Sequence, residues 1–455
     1  MSYFISHSVT SYKNANESWV IYNWLNGQHA EIFDKKHPLY IALDNRAKIS
    51  PFEYEDSEDD FNWLLENIFV VSSASRVHAE IQSAYDTSRS DDYLHLIVLP
   101  VDQACNFSCV YCYEDHSQKT RMTSKHISAI SNLVLSKNPK VLRVEYFGGE
   151  PLLNHKFIYD LNKTLQELSQ KFGFFFHASA TTNGSLLTTD LLNKFHESGL
   201  KQYQITVDGL PDDHNKLRIS NNGKPTFDSV WAALVRISEA KNLTDLEVLL
   251  RINFNEKTST PEKRHDFILR VKELFSSDPR VSILPRQIGD YSSLNNNPKS
   301  ESDYLCSQSL SSSLKNEYDF EIVATGLKLG DFSTWLGGGG SACYAGRPNS
   351  LVIFPDMKIR KCTVAINNPL NDVGVLEWSG DLHLNENWSK WTKPALFGKD
   401  ECFSCHYSMQ CQSSACPLIN IQEQTPVCPP DKFDAHNNVI KILNFLDFGG
   451  DCASQ

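Results

Sequence analysis

Three cysteines fall within one short stretch, Cys105-Asn106-Phe107-Ser108-Cys109-Val110-Tyr111-Cys112, directly after an apolar run at 95–101. Three thiolates on one loop can hold three corners of a cubane iron–sulfur cluster and leave the fourth iron free for a small molecule. A structural zinc site takes four ligands, commonly as paired C-x2-C knuckles, and fits this spacing poorly. The chain carries 12 cysteines: these three, Cys306, seven between 343 and 428, and Cys452. The start, Met1-Ser2-Tyr3-Phe4, lacks the charged and apolar regions of a signal peptide, so so many thiols argue for metal or redox chemistry in the cytoplasm rather than a disulfide framework.

At 455 residues the chain is too long for one ordinary core. Its net charge of -12 excludes a polyanion binder, so nucleic acid is not an expected partner. No apolar run is long enough to span a membrane.

Residues 1–92 contain no cysteine and read as a small α+β unit. A hairpin is predicted over 19–33 around Asn26-Gly27, which supplies the positive φ of a tight turn. Helices near 38–43 and 61–66 and a strand at 68–71 follow. From 93 to 290 the pattern becomes strand, loop, helix in repetition, with strands predicted at 95–101, 141–147, 174–181, 202–207, 247–254 and 281–284. Six such units imply an α/β fold with a parallel sheet, closed or partly closed like a barrel. Chemistry in such sheets gathers at the carboxyl ends of the strands. There the sequence places the cysteine loop, Gly148-Gly149-Glu150-Pro151, Thr182-Asn183-Gly184 and Asp208-Gly209. Residues 291–342 lose the pattern and read as a linker or lid, ahead of a cysteine-rich region, 343–455.

The cysteine spacing, with Tyr111 before the third cysteine, resembles the signature of the radical S-adenosylmethionine (SAM) enzymes. The resemblance implies a partial (β/α)6 TIM-like barrel in which Cys105, Cys109 and Cys112 hold a 4Fe–4S cluster that chelates SAM. One-electron cleavage of SAM then gives a 5′-deoxyadenosyl radical that abstracts hydrogen from a substrate. It also implies that Tyr111 lies near the adenine and that Gly148, Gly149, Glu150 and Pro151, the family's GGEP motif, meet the SAM amino group. Thr182 and Asn183 suit the ribose or carboxylate as hydrogen-bonding partners. Asp208, His214 and Arg218 are similar to the family's D-G-x4-H-x3-R segment, whose arginine reaches the SAM carboxylate. Arg251 and Asn253 lie on an alternating strand that can turn them inward.

The later cysteines resemble the SPASM extension, which carries two auxiliary 4Fe–4S clusters and so brings the total to three. The resemblance puts Cys343, Cys362 and Cys416 on the first and Cys402, Cys405, Cys411 and Cys428 on the second. Two departures stand out. The family's glycine five residues before the second of these cysteines is Met357 here, and four residues rather than three separate Cys411 from Cys416. Seven ligands leave two cubanes one short; either Cys306 or Cys452 completes the set, with Cys306 preferred, or one iron stays open.

The N-terminal unit resembles the winged-helix-like element that binds leader peptides in many peptide-modifying radical SAM enzymes; a plain cap on the barrel is the alternative. Together these resemblances imply an oxidative crosslinking enzyme (C–S, C–C or C–O) acting on a ribosomally made precursor peptide. A flavodoxin or ferredoxin would supply electrons. The alternatives are an anaerobic sulfatase-maturating enzyme, disfavoured because Thr363 stands where that group has an aspartate base, and a non-catalytic zinc scaffold. No catalytic base is identifiable, and Tyr344, Asp356 and Arg360 are notable only as neighbours of Cys343 or Cys362.

Overall fold

Alternating apolar residues build a parallel sheet from Tyr93–Val98, Val141–Tyr146, Phe175–Thr182, Leu200–Thr206, Glu247–Phe254 and Val281–Gln287, each paired to the next in chain order. Helices Ser124–Lys137, His155–Phe172, Thr189–Glu197, Phe227–Glu239 and Pro261–Phe275 connect them. The second strand shows how the alternation works. Leu142, Val144 and Tyr146 are fully buried, and the Tyr146 hydroxyl donates to Asn162 Oδ1 on the following helix at 2.6 Å. Arg143 and Glu145 therefore face the opposite side. Helix ends follow local chemistry: the Thr188 and Thr260 hydroxyls accept from backbone N–H groups of the first turn, and Gly173, at φ +78, ends helix His155–Phe172.

The computed structural model describes residues 3–45, 58–114, 116, 119–276, 278–291, 294, 305, 308–336, 339–393 and 400–447. The chain divides into two units, one of Met1–Arg89, Asp331–Gly346 and Lys393–Gln455, the other of Ser90–Gly330 and Arg347–Thr392. These boundaries differ from the predicted ones. Residues 308–329 extend the sheet unit instead of forming a linker. Helix Gln308–Ala324 is tied to helix Pro261–Phe275 by Arg264 paired with Glu317 and Glu321, and strand Lys328–Leu329 adds beside Val281–Gln287. On the other edge Ser350–Ile353, whose four residues are all buried, runs parallel to Tyr93–Val98. An antiparallel run, Lys358–Arg360, Asp372–Leu376 and Leu382–Leu384, completes a mixed sheet of eleven strands.

In the other unit, Val9–Lys13, Trp19–Asn23 and His29–Ile32 form a three-stranded antiparallel sheet. It packs with helices Pro38–Asn45 and Glu58–Glu66 through Ile21, Leu39, Tyr40, Phe61 and Leu64. The cysteine-rich C-terminal segment belongs to this same unit. Tyr407 packs edge-on against Trp24, Gln410 donates to the Trp24 carbonyl at 3.0 Å, and His436 stacks by Tyr12. Among the described residues no helix is long and apolar enough to cross a membrane.

Candidate functional site

The cysteine loop is held from two sides. Its residues Phe107–Cys109 pair antiparallel with Arg218–Ser220. Asn221 then donates its backbone N–H to the Asn106 carbonyl at 3.0 Å and its Nδ2 to the Cys105 carbonyl at 2.7 Å. From the other side Asn183 Nδ2 donates to Asn106 Oδ1 at 2.8 Å and Asn106 Nδ2 to Ser185 Oγ at 3.0 Å. The loop thus lies between the end of the third strand and the segment that follows helix Pro211–Leu217. All three cysteines are half-buried and free of disulfides, and Phe107 N–H points at Cys105 Sγ, 3.3 Å away. Burial pushes the Cys105 and Cys112 thiols up to about 12, so binding a metal centre here displaces protons.

Gly148 and Gly149 pack against this loop rather than toward open space. A Cβ on Gly149 would lie 2.0 Å from the Ala104 carbonyl oxygen, and one on Gly148 2.6 Å from that of Asp102. Both adopt positive φ, +82 and +49. Glu150 is completely buried. One carboxylate oxygen accepts from Thr182 Oγ1 at 2.7 Å and Leu152 N at 2.9 Å, the other from Asn183 N at 2.7 Å. Burial raises its pKa, opposed by these donors. The carboxylate therefore fastens the second strand's end to the third's, and Pro151 begins the 3-10 turn Pro151–Asn154. What the motif leaves for a ligand is its backbone.

A second network joins the loop to the fourth and fifth strands. The Tyr111 hydroxyl is bonded to Asp208 Oδ2 and accepts from Arg218 Nη1 at 2.7 Å and Asn253 Nδ2 at 2.9 Å. Arg251 Nε donates to Asn253 Oδ1 at 2.7 Å. Below, His214 Nδ1 accepts the Asp208 N–H at 3.2 Å while Nε2 meets Thr226 Oγ1. Burial and the Arg218 charge lower His214 to about 3. The neutral imidazole thus braces Asp208 and, through Thr226 bonded to the Arg218 carbonyl, the arginine.

The structure therefore brings together Cys105, Cys109, Cys112, Tyr111, Gly148, Gly149, Glu150, Pro151, Thr182, Asn183, Asp208 and Arg218, with Arg251 and Asn253 drawn in. Asn106, Ser185 and Asn221 escaped the sequence reading, as did Glu114, whose carboxylate accepts the Gly149 N–H at 2.8 Å. Two features fit a cluster and SAM: the loop cradled on glycines that admit no side chain, and Arg218 Nε, buried without a partner. Among the described residues no three His, Cys, Asp or Glu side chains are gathered to hold a single metal ion; the irons of a cubane take one thiolate each.

Of the later cysteines, Cys343, Cys402, Cys405, Cys411, Cys416 and Cys428 lie in the unit with the three-stranded sheet, and Cys362 in the other. Cys405 feels the charges of Cys428 and Cys402, and Cys411 those of Cys428 and Cys405. Cys343 N–H donates to the Ser414 carbonyl at 2.8 Å, two residues before Cys416. Cys362 Sγ accepts from Val364 N at 3.3 Å and Ala365 N at 3.4 Å. Cys306 and Cys452 lie outside the described residues.

Residues 99–259 match the model of the Radical SAM superfamily. The radical SAM cyclopropyl synthase TigE of Paramaledivibacter caminithermalis is 22% identical over 304 residues, 55% of this chain and 63% of the relative. The serine-type anaerobic sulfatase-maturating enzyme of Bacteroides thetaiotaomicron is 28% identical over 151 residues, 31% of this chain and 36% of the relative. The chain thus spans less than two thirds of either relative's length. The structure of native anSMEcpe with bound AdoMet and Cp18Cys peptide is similar in fold, with a TM-score of 0.56 at 17% identity over 78% of this chain and 96% of that one.

Proposed function

We propose that this protein is a peptide-modifying radical SAM enzyme that matures a ribosomally made precursor by an oxidative C–S, C–C or C–O crosslink. The observation that carries the reading is the three-cysteine loop clamped between the end of the third strand and the stretch that follows helix Pro211–Leu217, inside the segment that matches the superfamily. Cys105, Cys109 and Cys112 would hold the cluster, and the backbone of Gly148–Pro151 with Arg218 and Asn253 would hold SAM. Together these cofactors supply a one-electron cleavage that yields a hydrogen-abstracting radical. The chain's own part is to fix that chemistry in place: Glu150 locks Thr182 and Asn183, and Tyr111 links the loop to Asp208, Arg218 and Asn253.

Cys402, Cys405, Cys411 and Cys428 would carry an auxiliary cluster, which would accept the electron released as a crosslink forms. A flavodoxin or ferredoxin would feed the SAM cluster. A leader peptide would add as a strand to His29–Ile32, whose outer edge is unpaired among the described residues, while helix Ala435–Asp447 lies along the opposite edge strand, Val9–Lys13. The likeness to peptide-bound anSMEcpe supports a peptide substrate.

The test is mass spectrometry of a candidate precursor after anaerobic incubation with reconstituted protein, SAM and reductant. Crosslinking removes a hydrogen pair per bond and releases 5′-deoxyadenosine; 5′-deoxyadenosine without a change in peptide mass contradicts it. The similarity to sulfatase-maturating enzymes favours formylglycine formation as a second reading. Thr363, which offers no carboxylate, weighs against it, and a sulfatase-derived Cys or Ser peptide left unchanged would eliminate it.

A further inference from the structure

The sheet face opposite Leu142, Val144 and Tyr146 carries a charged layer below the strand ends. Strand register sets His95 beside Arg143 and Arg143 beside His177, with Ser350 flanking His95 on the other side. One step toward the carboxyl ends, Glu145 sits beside Ser179. Arg143 lies three residues, roughly 10 Å along the strand, before its end at Tyr146, so this layer lies below the residues at the strand ends.

Its polar groups are unevenly satisfied. His95 Nε2 pairs with Glu145 Oε2 at 3.4 Å and its Nδ1 meets Ser350 Oγ at 3.1 Å. Arg143 makes no hydrogen bond or ion pair among the described residues, and its Nε is buried without a partner, as is Ser179 Oγ. A buried N–H without an acceptor is costly. Glu145, paired with His95 and also lowered by the Arg143 charge, is the anion of this layer, whereas Arg143 and, close enough to act on His95, Arg347 are cations. Burial, with the neighbouring Arg143 charge and His95 adding to it, holds His177 down to about 4. What Arg143 Nε and Ser179 Oγ lack is a hydrogen-bond acceptor.

We propose that the sheet face around Arg143 is a binding site for a carboxylate group. A planar carboxylate matches the guanidinium fork, with Ser179 as a second donor. The nearby Glu145 charge favours a singly charged ligand over a phosphate dianion. The carboxylate comes from an acidic side chain or from a peptide C-terminus. The site stands on this layer alone and does not require the crosslinking function.

The test uses the reconstituted full chain without SAM and three probes: N-acetyl-Gly-Gly-Gly-Asp-amide, N-acetyl-tetraglycine as the free acid, and N-acetyl-Gly-Gly-Gly-Asn-amide. Binding is followed by calorimetry and by the His177 ring resonances of histidine-labelled protein. At least one carboxylate probe is expected to bind and to move the His177 titration upward, and the asparagine amide to do neither. The probe that binds identifies the source. Arg143→Gln should weaken binding at least about tenfold, and Arg143→Lys, which keeps the charge without the fork, by less. Binding of neither acid, equal binding of the asparagine amide, or undiminished binding by Arg143→Gln overturns the proposal. Should Arg143→Gln fail to fold, Arg143→Lys decides the matter by its affinity and the His177 shift.

Discussion

Replacing Gly149 by alanine puts a methyl group where the cysteine loop already lies. The new Cβ would stand 2.0 Å from the Ala104 oxygen, 2.6 Å from its carbonyl carbon and 2.8 Å from the Gln103 carbonyl carbon, all backbone atoms. Ordinary contact begins at roughly 3.5 Å, so the loop must retreat by about 1.5 Å. The hydrogen bond from Glu150 N–H to the Ala104 carbonyl, 2.8 Å long, breaks with it. Left-handed backbone costs about 1–2 kcal/mol, overpacking about 1–3 kcal/mol and the lost bond about 1 kcal/mol. The sum, roughly 3–6 kcal/mol, is a large part of an ordinary domain's stability. Gly173→Ala is the control: its φ is +78 but nothing lies within 4 Å of its Cβ, leaving about 1–2 kcal/mol. Urea unfolding and iron and sulfide content per chain should separate the two variants, with only Gly149→Ala losing iron at Cys105, Cys109 and Cys112. Equal stability and full iron in both would refute the packing argument.

Three further outcomes follow from the networks. Glu150→Gln replaces one acceptor oxygen with an NH2 facing a backbone or hydroxyl donor, so unfolding free energy should fall by about 2–4 kcal/mol and SAM binding, read by equilibrium dialysis, should weaken. Tyr111→Phe removes the shared partner of Asp208, Arg218 and Asn253; SAM affinity should drop about tenfold or more while iron content holds, and an unchanged affinity would deny the hydroxyl its linking role. His214 takes up its proton only on unfolding, because burial lowers it to about 3 from 6.5. Its contribution is complete above pH about 6.5 and is lost at about 1.4 kcal/mol per pH unit as pH falls toward 3. Urea midpoints of cluster-free protein between pH 7 and 4.5 should show that slope, and His214→Asn should flatten it.

Much of the sheet was legible because period-two alternation and terminal punctuation are local signals. Strand 247–254 was placed to the residue. The polar motifs were also placed at the strand ends, where backbone geometry and a buried carboxylate bind them together. Their reasons were less visible: Gly149 is required by the cysteine loop itself, and Glu150 by two neighbouring strand ends. Asn106, Ser185 and Asn221 went unread because their partners lie far off in sequence, 77 residues for Asn106 to Asn183 and 116 for Asn221 to Cys105. Residues 308–329 showed no clear period because their helix answers to contacts such as Arg264 with Glu321 rather than to a simple apolar stripe. Met357 was a departure whose meaning only geometry supplies. It sits at φ +63 in the turn after Ser350–Ile353, a left-handed position that glycine takes without strain, and its buried side chain accompanies that strain here.

The most direct test of the central claim is 5′-deoxyadenosine release by the anaerobically reconstituted protein, compared with a variant in which Cys105, Cys109 and Cys112 are all alanine. The wild-type chain should bind iron and sulfide and release 5′-deoxyadenosine from SAM under reduction. The variant should lose about one cluster's worth of iron, roughly four atoms per chain, and all SAM cleavage, while keeping the iron of its other cysteines. SAM cleavage that survives in the variant, or a wild-type chain that takes zinc at these thiols and leaves SAM intact, would contradict the account.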